Sequence, residues 1–318
     1  MPAAKAQKSS VLASYIAADA KSLALLEQIK KIAASKATVL IRGESGVGKD
    51  LLAALIHYLG PDAAEPLLKI DCASLPHELM ESELFGYERG AFTGATQMKR
   101  GRLELAGSGT LVFDEIATLS PPMQAKLLRV IEERRFDRLG GTKPMALPAA
   151  LRIVAITNLD LEQAVAQRSF REDLFYRLNV VPLAVPPLRE RRADIRPLAT
   201  HLLTALAEQH GKKTPVITSA AMAALERYLF PGNVRELRNL LERCLISGGE
   251  ASGGDKISLE DLPSPVRGTS TGKLTLQQLE RAYIAEILDY TRGKKSQAAA
   301  ILGISRKNLL EKRKRYGL

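Results

Sequence analysis

Short apolar runs recur along the chain as far as Val185, and stretches with helical periodicity separate most of them. Each run has the length of a buried strand. Apolar strands that alternate with helices predict an α/β fold, in which a mostly parallel sheet is covered by helices. The predicted strands are Thr38–Ile41, Leu67–Ile70, Thr110–Phe113, Leu151–Ile156 and Val180–Val185.

The pattern changes after Pro186-Pro187, where the strand-like runs stop. Apolar residues recur at helical spacing from about Ala193 to Ser247, around one Pro231-Gly232-Asn233 turn, which predicts a small all-helical subdomain. Residues 249–272 are rich in Gly, Ser, Thr and Pro, a composition typical of a linker.

These changes divide the chain into five segments. They are a flexible N-terminus (1–13), an α/β subdomain (14–189), a helical lid (190–248), a linker (249–272) and a C-terminal helical domain (273–318). No apolar run reaches the roughly 18 residues of a membrane span, so no membrane partner is expected. Cys72 and Cys244 lack CxxC spacing, which indicates two reduced structural thiols in a cytoplasmic protein.

The positive charge is concentrated at the C-terminus. The whole chain of 318 residues carries a net charge of +11. Between Lys273 and Leu318 there are eleven Lys or Arg and four Asp or Glu, so this short segment holds +7 of that total. A nucleic-acid partner is therefore expected for the C-terminal domain.

A glycine-rich string follows the first predicted strand and precedes a helical stretch. It is Gly43-Glu44-Ser45-Gly46-Val47-Gly48-Lys49, which matches the phosphate-binding pattern GxxxxGK. Glycines let backbone N–H groups wrap phosphates, the helix N-terminus favours anions, and Lys49 can reach the outer phosphates. The next residue is Asp50 where Ser or Thr is usual. The string and Asp50 are predicted to bind ATP.

A second motif predicts hydrolysis of that nucleotide. The strand Thr110–Phe113 ends in Asp114 and Glu115. Asp114, with Asp50, can hold Mg²⁺, and Glu115 can polarise the attacking water.

The most specific motif is the hexapeptide Gly90-Ala91-Phe92-Thr93-Gly94-Ala95. A given hexapeptide occurs by chance in such a chain with a probability on the order of 10⁻⁵. With the nucleotide motifs, it makes the chain from about Ser22 to Leu318 resemble the AAA+ activators of sigma-54 RNA polymerase, the bacterial enhancer-binding proteins. The resemblance implies a P-loop AAA+ sheet domain with a helical lid. It also implies that these six residues form a protruding loop that contacts sigma-54, for which two glycines suit a mobile tip.

Further positions match residues that sense nucleotide in this family. The resemblance implies that Asn158 senses the γ-phosphate and that Arg235, in the lid, contacts the same nucleotide in cis. Arg171 and Arg177 match the arginine fingers, one or both of which reach the ATP of a neighbouring subunit. Activity would then require an oligomer, a hexamer in the active state. With Lys49, Asp114 and Glu115, these two arginines form the predicted catalytic set.

One position departs from the family in a way that bears on mechanism. The family often has Asn where this chain has Asp71, and that Asn is thought to hold the catalytic glutamate in an idle rotamer. An Asp near Glu115 would repel it unless one of the two were protonated. The coupling between nucleotide state and the loop is therefore less certain at Asp71. The family often has Glu at the place of Asp50, so that departure is small.

The end of the chain has the pattern of two short helices around a glycine turn, and it resembles a Fis-type helix-turn-helix. Ala299 is small where two helices cross, Gly303 makes the turn, and Ser305 caps the second helix. The start of that helix would face base edges, and its later basic residues suit phosphates. The predicted DNA contacts are Ser296, Gln297, Ser305, Arg306, Lys307, Asn308, Lys312 and Arg313.

A capping box formed by Thr275 and Gln278 predicts a helix before this motif. Its apolar stripe from Leu276 to Leu288 is either a dimer interface, as in Fis-type domains, or an internal packing surface.

Two functions fit these motifs. The first is a hexameric ATPase, cytoplasmic and nucleoid-associated in a bacterium, that binds enhancer DNA and remodels sigma-54 RNA polymerase from the closed to the open promoter complex. The alternative is a DNA-binding repressor that responds to nucleotide without engaging sigma-54. Only about 20 residues precede the motor, so its control comes from a separate regulatory protein, or the motor is constitutively active, or the chain is truncated.

Overall fold

The computed structural model describes residues 11–247, 255–267, 280, 283–284, 287–288, 291, 295–302, 304 and 306–316. The chain separates into two compact units, Met1–Leu262 and Pro263–Leu318. Within the described residues, no helix is both long and apolar enough to cross a membrane.

A five-stranded parallel sheet forms the centre of the first unit, in the order β2-β3-β4-β1-β5. The strands are β1 (Val39–Arg42), β2 (Leu67–Asp71), β3 (Thr110–Asp114), β4 (Arg152–Thr157) and β5 (Val181–Ala184). Each lies within one residue of its predicted bounds, so the α/β prediction is confirmed. All six residues of β4 are buried, because helices cover both faces of the sheet.

Helices of the α/β part surround this sheet. Those in the described residues include Ala20–Ala33, Lys49–Tyr58, His77–Phe85, Arg102–Leu105, Pro121–Glu133, Leu161–Ala166 and Glu172–Leu178. One hydrophobic core, which includes Leu84, Phe113 and Leu127, lies on one side of the sheet. A second core, which includes Leu55, Val154 and Ile156, lies on the other. The buried thiols Cys72 and Cys244 are both free, as expected.

Parallel strands bring their carboxyl ends to one edge of the sheet, where ligands of such folds bind. In register, Asp71 of β2 is the partner of Asp114 of β3, and Arg42 of β1 is the partner of Thr157 of β4. The glycine-rich loop, the acidic pair Asp114 and Glu115, and Asn158 therefore all lie at this edge, where their strands end.

Two antiparallel hairpins extend from the α/β part. One pairs Gly86–Tyr87 with Lys99–Arg100, and the other pairs Arg135–Phe136 with Met145–Ala146. The sequence analysis predicted neither, since strands of two residues are too short to show a periodicity.

The lid contains three helices, Ile195–Gln209, Ser219–Arg227 and Asn233–Ile246, as its helical pattern predicted. The side chain of Thr218 caps the second helix by accepting from the N–H of Ala221. Two short 3₁₀ turns, Leu188–Glu190 and Arg192–Asp194, lead into the first helix.

The predicted linker over residues 249–272 needs correction between residues 255 and 262. The strand Lys256–Ile257 pairs in parallel with Val216–Ile217 of the lid, so strands do not stop at Pro187. Ile257 and Leu262 are each 1% exposed. Two buried apolar side chains anchor this segment to the lid helices, which outweighs its Gly- and Ser-rich composition.

The prediction of a loose N-terminus also needs correction at its end. Residues 1–10 lie outside the described part of the chain, but Val11, Leu12 and Tyr15 pack against the core. The next residues are held by Asp194, which is fully buried. Its Oδ1 accepts from the backbone N–H groups of Ala18 at 2.6 Å and Asp19 at 2.8 Å.

The second unit contains the helices Ser264–Arg267, Lys295–Ile301 and Arg306–Tyr316. Its small core is formed by Ile284, Ile287, Ala298, Ala299 and Leu309. Ala299 is buried between the predicted helices, as its small size suggested. The predicted capping box at Thr275 and Gln278, the turn at Gly303 and the cap at Ser305 lie outside the described residues.

Candidate nucleotide-binding site

The glycine-rich loop curls tightly between β1 and the helix Lys49–Tyr58. Gly46 has a φ of 78°, which lies in the left-handed region that glycine adopts without strain. A Cβ atom at this position would lie 2.4 Å from the carbonyl oxygen of Gly232, so a larger residue would push the lid away. The loop ends at a helix N-terminus, which provides N–H groups for an anion.

Lys49 lies inside this loop and is 8% exposed. Its ammonium donates to the carbonyl oxygens of Gly43 at 2.7 Å and Glu44 at 3.1 Å. Burial lowers the pKa of Lys49, and the nearby carboxylates of Glu115 and Asp114 oppose that shift. The arrangement places a cation at the centre of a loop suited to phosphates.

The structure brings Glu115 and Asn158 together, although they are far apart in sequence. Glu115 follows β3 with a φ of 50°, an unusual value for a residue with a side chain. Its Oε2 accepts from the backbone N–H of Asn158 at 3.3 Å. Strained backbone at a polar cleft is typical of functional residues, and this contact joins the predicted water-polarising group to the predicted phosphate sensor.

The two predicted metal ligands share one cation that the sequence analysis missed. The ammonium of Lys69, on β2, lies 2.5 Å from Oδ1 of Asp50 and 2.7 Å from Oδ2 of Asp114. Burial acts to lower the pKa of Lys69, but hydrogen bonds to these two carboxylates raise that pKa above its usual value. The available signal in the sequence was a lone charged residue inside an apolar strand.

These carboxylates fit a magnesium ion as its protein ligands. Both approach one small cation already, and Mg²⁺ is usually held by one or two carboxylates together with water and substrate phosphates. Among the described residues there is no cluster of three or more His, Cys, Asp or Glu that could hold a metal without such help.

The lid closes the other side of the same cavity, which has a volume of about 320 Å³. Arg235 donates from its guanidinium to Oγ of Ser45 at 2.8 Å, and the N–H of Val234 donates to the carbonyl of Gly46 at 3.0 Å. The cavity is lined by Ser45, Gly46, Gly48, Lys49, Asp50, Asp114, Glu115, Leu202, Val234, Arg235 and Arg238. Leu202 and Arg238, on the lid helices, were not predicted.

A polar network fastens the lid to the glycine-rich loop. Arg189 holds the carboxylate of Glu44 with two hydrogen bonds, at 2.6 and 2.8 Å. Asn233, fully buried, donates to Glu44 at 3.1 Å and to the carbonyl of Ser45 at 3.0 Å. Hydrogen bonds from Arg189 and then Asn233 lower the pKa of Glu44 to about 2. In sequence, Asn233 predicted only a turn.

Arg171 and Arg177 lie on a different surface from this cavity's lining. Arg171 pairs with Asp173 at 2.7 Å, and Arg177 pairs with Glu132 at 3.0 Å. Both guanidinium groups are about half exposed. Neither lines the cavity described for this chain, so both are accessible to another molecule.

Asp71 is occupied by its own turn rather than by Glu115. Its Oδ1 accepts from the N–H of Ala73 at 2.9 Å, and the Glu115 carboxylate is held by Asn158. Each of these two carboxylates thus accepts a hydrogen bond from a separate backbone N–H group.

The hexapeptide at residues 90–95 forms an exposed turn. The N–H of Gly90 donates to the carbonyl of Ala95 at 2.8 Å, which closes the turn, and Ala95 is buried at its base. Thr93 is exposed, and Phe92 is 47% exposed with its ring 4.9 Å from that of Tyr87. The tip thus presents an aromatic face and a hydroxyl to solvent.

The second hairpin braces this turn, a contact that the sequence did not reveal. Arg138 pairs with Glu88 at 2.7 Å and with Glu104 at 2.6 Å. A Cβ atom at Gly140 would lie 2.8 Å from that of Ala91, so the two loops can approach only because this residue is glycine.

The predicted DNA contacts are only partly described. Gln297, Arg306 and Asn308 are exposed, whereas the side chains of Ser296 and Lys307 lie outside the described residues. The ammonium of Lys312, which was predicted to contact DNA, pairs with Glu280 at 2.5 Å. Glu280 also accepts from the hydroxyl of Tyr316, so the pair stabilises the unit itself. Arg313 is half-buried on the same helix.

Residues 15–184 match the profile of the sigma-54 interaction domain. The chain belongs to this sigma-54 interaction family. Residues 189–279 match the AAA+ ATPase lid domain, and residues 275–316 match the bacterial regulatory proteins of the Fis family.

Curated relatives of this sigma-54 interaction family member include a nitrogen fixation protein and a regulatory protein. The chain is 46% identical to the nitrogen fixation protein AnfA of Azotobacter vinelandii, over 92% of its own length and 55% of that protein. It is 43% identical to the regulatory protein AtoC of Escherichia coli strain K12, over 91% of its own length and 64% of that protein. The chain therefore spans only about half to two thirds of these relatives.

A solved structure with the same fold is NtrX from Brucella abortus. It is 34% identical and superposes with a TM-score of 0.75, over 97% of this chain and 70% of NtrX. NtrX in complex with ATP gives a TM-score of 0.72 at the same identity, over 95% of this chain and 69% of that one. Together these matches confirm the AAA+ fold with its lid and Fis-type helix-turn-helix.

Proposed function

We propose that this chain is an ATPase that activates transcription by remodelling sigma-54 RNA polymerase. One observation carries the proposal: a single cavity is lined by Lys49, Asp114, Glu115 and Arg235, in a chain that also presents the hexapeptide at residues 90–95 to solvent. The NtrX complex with ATP supports a nucleotide as the ligand.

Within the cavity, each residue has a part that its position supports. The glycine-rich loop wraps the phosphates, and Lys49 leaves its own carbonyl partners to bind the outer ones. Asp50 and Asp114 would hold Mg²⁺, which would neutralise phosphate charge. Glu115 orients the attacking water, and its contact with the N–H of Asn158 reports whether the γ-phosphate is present.

Hydrolysis then moves the lid. Arg235 contacts both the glycine-rich loop and the cavity, so a change in the phosphates changes how the lid is held. Arg171 and Arg177 lie outside their own cavity and supply positive charge to the ATP of a neighbouring subunit, which makes a hexamer the active form.

The exposed turn at residues 90–95 contacts sigma-54 through Phe92 and Thr93. The C-terminal unit holds the motor on enhancer DNA through Arg306, Asn308 and their neighbours, and pairs with a second copy. A protein with these contacts would act on DNA at the nucleoid, in the cytoplasm of a bacterium.

The decisive test is a native-gel assay with purified sigma-54, with and without ADP and aluminium fluoride. Wild type is compared with Thr93→Ala and with Thr204→Ala, which removes an exposed hydroxyl on the lid. We expect a complex only with the transition-state analogue, and only for wild type and Thr204→Ala, while all three proteins hydrolyse ATP.

A complex with Thr93→Ala as strong as wild type would contradict the role of the turn. Hexamers that hydrolyse ATP but never bind sigma-54 would favour a nucleotide-responsive DNA-binding repressor instead.

A further inference from the structure

Lys69 occupies a position between the two carboxylates to which the proposed function assigns Mg²⁺. It projects from β2, the strand beside β3, and its ammonium makes one contact to Asp50 at 2.5 Å and one to Asp114 at 2.7 Å. Asp50 lies in the first turn of the helix after the glycine-rich loop, whereas Asp114 ends a strand. The cation therefore joins two elements that meet only at the cavity.

The local charges show why a cation is needed there. The cavity wall carries three carboxylates, those of Asp50, Asp114 and Glu115, close to where phosphates would bind. Lys49 is drawn towards the carbonyls of its loop instead of towards these acids. Lys69 supplies one positive charge between the two carboxylates of Asp50 and Asp114 and so offsets part of their mutual repulsion.

Lys69 is also free to leave. Its side chain is 43% exposed, as is typical of a lysine that can swing into solvent, and Asp50 is 61% exposed. Asp114 is more enclosed, at 18%. Ion pairs of this exposure are weak, so a divalent ion with higher charge density can replace the ammonium at little cost.

We propose that Lys69 is an internal counter-ion for the magnesium ligands, which holds Asp50 and Asp114 in place until Mg²⁺ displaces it. This inference rests on the proposed function. Lys69 acts as a positioning residue, through the two carboxylates. It lowers the repulsion that these carboxylates exert on metal-free nucleotide, and it competes with Mg²⁺ for them.

Neutral variants of Lys69 test its effects on nucleotide repulsion and on Mg²⁺ competition by nucleotide binding, without any need for ATP hydrolysis. The dissociation constant of mant-ADP is measured by fluorescence, in EDTA and in saturating Mg²⁺, on the full chain. For Lys69→Met and Lys69→Gln, we expect weaker binding in EDTA and unchanged or tighter binding in Mg²⁺. The dissociation constant in EDTA divided by that in Mg²⁺ should rise roughly five-fold, which corresponds to the free energy of one partly exposed ion pair.

Two further variants serve as controls. Lys69→Arg keeps the charge and should keep the ratio near that of wild type. Lys36→Met removes a lysine of similar exposure, 40%, that pairs with Asp62 at 2.8 Å away from the cavity lining, and should leave the ratio unchanged. Thermal unfolding of each variant confirms that the fold is retained.

Each outcome decides one question. A ratio that rises only in the two neutral Lys69 variants supports the proposal. An equal ratio in every variant overturns the role of Lys69 while nucleotide binding, and hence the proposed function, stands. Failure of wild type to bind mant-ADP with or without Mg²⁺ overturns the proposed function, and this inference with it.

Discussion

The carboxylate of Glu44 links the glycine-rich loop to the lid. It accepts hydrogen bonds from Arg189, in the segment before the lid, and from Asn233, at the start of the last lid helix. These donors stabilise the ionised carboxylate, which is why its pKa falls to about 2. The stabilisation exists only in the folded state, because residues 44, 189 and 233 are far apart in the unfolded chain.

The stability conferred by Glu44 should therefore depend on pH. A carboxyl whose folded pKa is depressed stabilises the fold above its unfolded pKa, near 4.5, and loses that effect as pH falls towards 2. At pH 7, Glu44→Gln should lower the free energy of unfolding by up to about 1 kcal/mol, since the pair is partly exposed. Urea unfolding at pH 7 and pH 3 measures the difference.

The control for this measurement is Glu27→Gln, which removes an exposed pair with Lys30. Its effect should be small at both values of pH. If Glu44→Gln lowers the free energy of unfolding as much at pH 3 as at pH 7, the charge of Glu44 is not what stabilises the contact.

At the scale of elements, the two hairpins act as one support for the exposed turn. The N–H of Glu88 donates to the carbonyl of Leu139, and the N–H of Leu139 donates to the carbonyl of Gly86. Arg138, whose side chain is 13% exposed, adds ion pairs to the base of the turn. The base of the turn is thus held by both backbone and side-chain contacts.

Removing this brace should loosen the turn without unfolding the domain. For Arg138→Gln, we expect trypsin to cleave after Arg89 roughly three- to ten-fold faster than in wild type, because local opening costs about 1 kcal/mol less. Arg129→Gln, which removes an exposed pair within one helix, provides the matched control. Equal cleavage rates in the three proteins would show that the backbone contacts alone hold the turn.

The same elements explain what the sequence could predict. The five sheet strands were predictable because burial on both faces leaves continuous apolar runs, and the glycine-rich loop because its chemistry requires adjacent residues. Lys69, Arg138 and Arg189 were not, since each pairs with a residue distant in sequence and follows no periodicity. The segment that contains Ile257 was misassigned because its composition, not its two buried side chains, dominates the pattern.

At the scale of the whole molecule, the chain consists of two compact units. The division falls at Leu262 and Pro263, after the last segment that packs on the lid. Eleven of the basic residues lie after Gly272. The proposed ATPase and the proposed DNA contact can therefore be separated by a deletion that leaves the first unit intact.

Deleting the residues after Gly272 should abolish specific binding to enhancer DNA and leave ATP hydrolysis in place. Gel-shift titrations at two salt concentrations should show the steep salt dependence of wild type, which arises from phosphate contacts, disappear with the tail. Specific DNA binding by the shortened protein would contradict the assignment of that contact to the C-terminal unit.

Asp194 has a mechanical consequence for a lid that moves. Its carboxylate, fully buried, is tied to Ala18 and Asp19 on one side, while Arg191 beside it donates to the carbonyl of Val47 at 2.7 Å. Breaking such bonds in a site closed to water is costly, so we expect this corner to stay in place when the lid rotates. When a rigid lid rotates about this corner, the displacement of each atom grows with its distance from the corner. A small change at the phosphates therefore produces its largest displacement at the far edge of the lid.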